Sequence, residues 1–61
     1  MKSVEIYKGF NIFEAEGEHL AAGFKFQVDI SQVFTRHKYM GFKSIERARK
    51  EIDILSELRS S

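Results

Sequence analysis

Phe24-Lys25-Phe26-Gln27-Val28-Asp29-Ile30 is the stretch that decides the fold. Its even positions are apolar and its odd positions polar, a period of two that sets one face of a β-strand against a core and the other in water. One-sided burial of this kind belongs to antiparallel sheets. Upstream, Val4, Ile6, Phe10 and Ile12 carry the same parity, interrupted at Lys8-Gly9, where a bulge or turn is expected. They read as a first strand joined to the second by a turn at Glu16-Gly17-Glu18. Leu20 to Gly23 fits either an extension of the second strand or a loop. Val33 to Met40, rich in β-branched and aromatic residues, reads as a third strand of undecided facing. Gly41 comes next, where a turn is expected.

The remainder reads as one helix. Ser44 is a good N-cap and Glu46 places negative charge in the first turn. Ile45, Ala48, Ile52 and Leu55 recur at helical spacing as a narrow stripe suited to covering a sheet. Ile54 and Leu58, four apart, form a second apolar patch away from that stripe. The expected fold is α+β over residues 1–61 as a single domain: a three-stranded antiparallel sheet with one C-terminal helix packed on one face (βββα). The other sheet face is left to solvent or a partner.

Composition bounds the function. A chain of 61 residues hides only about 60% of the surface its unfolded form exposes, so its core is small. It has no Cys, which removes disulfides and thiolate zinc sites. No apolar run is long enough to span a membrane, so a soluble, cytoplasmic protein is expected. Charge is uneven. Lys2, Lys8 and Lys25 against Glu5, Glu14, Glu16, Glu18 and Asp29 leave residues 1–31 at −2. Arg36, Lys38, Lys43, Arg47, Arg49, Lys50 and Arg59 against Glu46, Glu51, Asp53 and Glu57 leave residues 32–61 at +3. Such a bipolar chain suits an oriented encounter with a charged partner.

Catalytic and ligand chemistry find little to stand on. His19 and His37 lack metal-ligand spacing, so no metal site is expected. No serine sits in a nucleophile elbow, and Glu14, Glu16 and Glu18 read as solvated acids. The glycines are isolated and build no phosphate loop, so no cofactor and no small-molecule substrate are expected. An enzyme is not expected.

Functional texture is confined to Phe34 to Lys43, where basic and aromatic residues interleave as in single-stranded nucleic-acid grooves. Its candidate contacts, for nucleic acid or an acidic partner, are Arg36, Lys38, Tyr39 and Lys43, with Arg47 at the helix start. Glu46/Lys50, Arg47/Glu51 and Arg49/Asp53 are each four apart, which explains the helix charges as a face of ion pairs. The run Gly41-Phe42-Lys43-Ser44-Ile45-Glu46-Arg47-Ala48-Arg49-Lys50-Glu51-Ile52-Asp53 resembles the strand-to-helix passage of βββα DNA-binding modules, of the plant ethylene-response-factor type and the phage-integrase arm-site type. The resemblance covers about a fifth of the chain and implies three strands reading the major groove with a helix across the back. In those families Arg and Trp on the strands meet DNA. Here the first two strands are acidic and have neither residue, so only the third is equipped.

The leading expectation is therefore a non-catalytic binding module for a protein partner or for itself, as a homodimer. Tyr7, Phe13, Ile54 and Leu58 form its candidate patch. Nucleic-acid binding through residues 34–43 is the alternative.

Overall fold

A computed structural model describes residues 2–60. The chain is α+β with an antiparallel sheet and a C-terminal helix, but the sheet has four strands, not three. In chain order the elements are β1 (Ser3–Tyr7), β2 (Phe10–Glu14), α1 (Gly17–Ala21), β3 (Phe26–Asp29), β4 (Tyr39–Phe42) and α2 (Ile45–Ser60). The strands lie in the order β1-β2-β3-β4, each antiparallel to its neighbour, so β1 and β4 are the free edges.

The extra strand comes from the Lys8-Gly9 interruption, which is a complete hairpin turn. Lys8 and Gly9 have φ of 51° and 84°, the signs of a two-residue type I′ turn. Such a turn sets Tyr7 opposite Phe10, so odd residues of β1 share a face with even residues of β2. The common parity expected for Val4, Ile6, Phe10 and Ile12 is thereby broken. Phe10 and Ile12 are fully buried, whereas Val4 and Ile6 are exposed. Glu5 and Tyr7 turn toward α2 instead. The turn is latched from the far end of the helix. Arg59 donates to the Lys8 carbonyl (3.2 Å) and to Gln32 Oε1 (2.6 Å), and Gln32 Nε2 donates to the Gly9 carbonyl (3.0 Å).

Between β2 and β3 the chain forms one helical turn where a simple turn and an undecided stretch were expected. Gly23 (φ 95°) ends α1 in a Schellman arrangement. The Phe24 N–H reaches the His19 carbonyl and the Gly23 N–H reaches the Leu20 carbonyl, both at 3.0 Å. That closure lays the Phe24 ring beside His19, 6.3 Å between centroids. Both rings rest on Gly41, which lies inside β4 rather than in the turn expected of it. Part of the sheet face opposite α2 is thus covered by α1.

The expected third strand over Val33–Met40 is mostly loop. The Asp29 carboxylate takes both the Ser31 N–H (3.0 Å) and the Ser31 hydroxyl (2.6 Å). The N–H groups of Val33 and Phe34 both bond the Ile30 carbonyl. This local side-chain bonding turns the chain directly after Ile30, against the β-propensity of Val33 to Met40. Pairing resumes only at Tyr39.

The helix reads as expected. The Ser44 hydroxyl accepts the Arg47 N–H at 3.3 Å, capping the start of α2. Ala48, Ile52 and Leu55 are buried against Phe10, Ile12, Val28 and Ile30, with Ile45, Phe26, Met40 and Phe42 packed around them. No helix among the described residues is long and apolar enough to cross a membrane.

Candidate functional site

The hairpin side of the molecule uses its charges internally. Arg49 makes a two-pronged bond to Glu5, 2.6 and 2.9 Å, from α2 to β1. Asp53 takes Lys8 Nζ at 2.7 Å and the Tyr7 hydroxyl at 3.1 Å. Arg49 and Asp53, expected to pair with each other along the helix, each pair across to the sheet. The other two expected helix pairs, Glu46/Lys50 and Arg47/Glu51, are not among the ion pairs of the described residues.

These contacts shift the groups involved. The Arg49 hydrogen bonds hold the Glu5 carboxyl below its ordinary 4.5, and the Lys8 bond, helped by Tyr7, holds Asp53 below its ordinary 3.8. Ser31 lowers Asp29 in the same way. A depressed carboxyl stabilises the fold in full above its unfolded value, and that contribution is lost as pH falls through the folded value. The thermal midpoint is therefore expected to fall between about pH 5 and about pH 3. The fall should be shallower in the double variant Glu5→Gln, Asp53→Asn, which keeps only the Asp29 contribution. Parallel melting curves for the two proteins would show that the cross-sheet pairs add no stability.

With Lys8 and Arg49 consumed on the β1 side, Lys43, Arg47 and Lys50 stand on the β4 side without an ion pair among the described residues. Among the described residues Arg36, Lys43, Arg47 and Lys50 make no ion pair. Lys38 and Lys43 bracket β4. Arg47, Lys50, Ile54 and Leu58 succeed one another at spacings of three and four along one flank of α2. That flank meets the β4 side of the sheet at Phe42. Phe42, Arg47, Lys50, Glu51 and Ile54 line a hollow of about 220 Å³ between helix and strand. A second hollow, about 490 Å³, is lined by Phe24, Gly41, Phe42, Lys43 and Arg47. Ile54 is 50% exposed and Leu58 53%.

The structure therefore brings Arg47, from the basic-aromatic set, to one hollow with Ile54, from the apolar patch, and to the other with Lys43, while Leu58 lies one turn beyond Ile54 on the same flank. It separates the others. Arg36 and Lys38 lie on the exposed loop before β4, and Lys38 Nζ sits over the Tyr39 ring at 5.5 Å. Tyr39 and Phe13 meet edge-to-face at 6.2 Å on the sheet face opposite α2. Tyr7 is no part of a surface patch, because it faces α2, packs on the core and donates to Asp53. Lys50 joins the site although its four-residue spacing from Glu46 points to a helix ion pair. The signal for it is its three-residue spacing from Arg47.

No three His, Cys, Asp or Glu residues among those described converge as metal ligands. His19, half-buried against Phe24, and His37, on the exposed loop, line one hollow of about 470 Å³ with Phe34 and Tyr39. Comparison with protein-family models, curated proteins and solved structures finds no match for the chain.

Proposed function

We propose that the chain is a non-catalytic binding module whose ligand is another protein, held where β4 meets the flank of α2. The observation that carries this reading is the alignment of exposed Ile54 and Leu58 with Arg47 and Lys50, beside Phe42. Cations unmatched within the chain supply orientation, and apolar side chains already half in water supply area to bury. Arginine and aromatic groups are also the residues enriched in protein interfaces. The hollow beside the flank is lined by Phe42, Ile54 and charged side chains, a lining suited to a protein side chain.

Nucleic acid is the second reading, supported by Lys38 and Lys43 at the two ends of β4 with Arg47 close by. Phosphates would engage these cations but leave Ile54 and Leu58 without a role.

Incorporation of a photo-crosslinking residue at Ile54, in cells that make the protein, tests the first reading. A discrete protein adduct is expected, lost when Arg47→Glu is added. Adducts removed by nuclease, or adducts of the chain with itself alone, would overturn it in favour of nucleic acid or of a homodimer.

A further inference from the structure

We infer that the outer edge of β4 accepts an extended acidic segment of the partner protein as a fifth strand, an inference that rests on the protein-binding reading above. The backbone supplies the first argument. The Ile30 N–H donates to the Lys38 carbonyl at 2.8 Å, and the Lys25 N–H to the Phe42 carbonyl at 3.0 Å. In an antiparallel ladder bonded positions alternate, so Met40 and Phe42 turn their backbone groups toward β3 while Tyr39 and Gly41 turn theirs outward. The free edge thus offers two N–H donors and two carbonyl acceptors in strand geometry.

The two edges of the sheet differ in how they are protected. β1 has a register break between Ser3 and Glu5 and carries a charge at Glu5, the bulge and charge that discourage strand addition. β4 reads Tyr-Met-Gly-Phe, in continuous register, with no charge and no proline. Side chains of an added strand would alternate between its two faces. Beside β4 there are hollows to receive them: one lined by Phe42, Lys50 and Ile54 on the α2 side, and a second, at the Phe42 end of the strand, lined by Phe24, Gly41, Phe42, Lys43 and Arg47.

Charge selects the occupant. Lys38 and Lys43 frame the edge, and Arg47 and Lys50 overhang it, against Glu51 as the acid lining the α2-side hollow. A strand alternating carboxylates with aliphatic side chains complements this frame. A second copy does not, because pairing two β4 edges would bring two frames of the same sign, each with Lys38, Lys43, Arg47 and Lys50, against one another, with no acid in β4 to offset them.

The test uses the isotopically labelled full chain and a capped peptide alternating glutamate with valine, about nine residues long so as to overreach the strand. Expected are shifts of the Tyr39 and Gly41 amides and a slowing of their hydrogen exchange by about tenfold or more. The double variant Arg47→Glu, Lys50→Glu, both residues exposed, is expected to weaken binding roughly tenfold with its circular dichroism unchanged. A lysine–valine peptide is expected not to bind. Shifts at Arg47 and Lys50 without slowed exchange at Tyr39 and Gly41 would overturn strand addition and leave the protein-binding flank standing. So would the absence of peptide binding up to about 1 mM. Salt-sensitive binding of duplex DNA at the same amides, with no peptide binding, would overturn both inferences.

Discussion

Replacing Phe10 by alanine is expected to abolish cooperative folding. Phe10 is the largest of the fully buried side chains, at 0% exposure, and it stands where the hairpin, the sheet and the end of α2 converge. Its ring packs within the core of Ile12, Val28, Ile30, Ile52 and Leu55 and carries the Arg59 guanidinium 4.9 Å from its centroid. Truncation of a buried Phe to Ala costs about 3–5 kcal/mol, from lost transfer free energy and the cavity left behind. A core of this size rarely supplies more than about 3–5 kcal/mol in total. The two figures match, so the variant should show no cooperative urea or thermal transition at room temperature. Phe10→Leu keeps most of the volume and is expected to fold with a loss of about 1.5 kcal/mol or less. A cooperative Phe10→Ala protein within about 1 kcal/mol of the parent would show that the core relaxes around the missing ring.

The same residue marks how far the fold was legible. From Phe10 onward, periodicity found most of the core: Phe10, Ile12, Val28 and Ile30 on the sheet, Ala48, Ile52 and Leu55 on the helix. It misplaced Phe24, which lies before β3 with its ring on His19 and Gly41 because the α1 closure turns the chain there. The positions it found depend on the period of one element at a time. Relations between elements were concealed. Val4 and Ile6 fall on the other side from their apparent parity because the length of a turn fixes the relative parity of the strands it joins, and Lys at φ 51° is a poor advertisement for a two-residue turn. The expected strand over Val33–Met40 failed because the Asp29–Ser31 bonding outweighs β-propensity. α1 had a readable end, since Leu20-Ala21-Ala22-Gly23 is a short helix-forming run closed by glycine, although its start carries no side-chain cap.

The candidate site was legible in halves. Composition separated the acidic start of the chain from its basic end, but which cations remain unpaired depends on which acids fold against them. Glu5 and Asp53 were drawn into contacts 44 and 46 residues distant. With Lys8 and Arg49 taken up by those two acids, Lys43, Arg47 and Lys50 are left without an ion pair beside β4 among the described residues. On the β1 side the hairpin turn neutralises the surface by bringing Glu5 and Lys8 over α2.

Gly41→Ala is expected to destabilise the chain by about 1–3 kcal/mol, the range for forcing atoms into a packed site. Gly41 does not have a φ that excludes alanine, so the effect is steric. A Cβ there would lie 2.6 Å from the Phe24 ring and 2.8 Å from the His19 ring, closer than real contacts allow. One side must give, and α1 is the weaker. It is a single turn without a side-chain cap or a buried residue, tied to the sheet through those rings and the Glu16 N–H bond to Gln27 Oε1. Hydrogen exchange in Gly41→Ala should therefore lose protection at Gly23 and Phe24, the amides that close α1, while Val28 and Met40 keep theirs. A double-mutant cycle assigns the cause. If the clash with the Phe24 ring is what costs stability, Gly41→Ala should cost less by about 1 kcal/mol or more in a Phe24→Ala background, since contacting residues couple by about 0.5–3 kcal/mol. Equal costs in the two backgrounds would remove Phe24 from the explanation. That would place the strain in His19 or in β4 itself, whose backbone at Gly41 is the part of the edge that an added strand would have to meet.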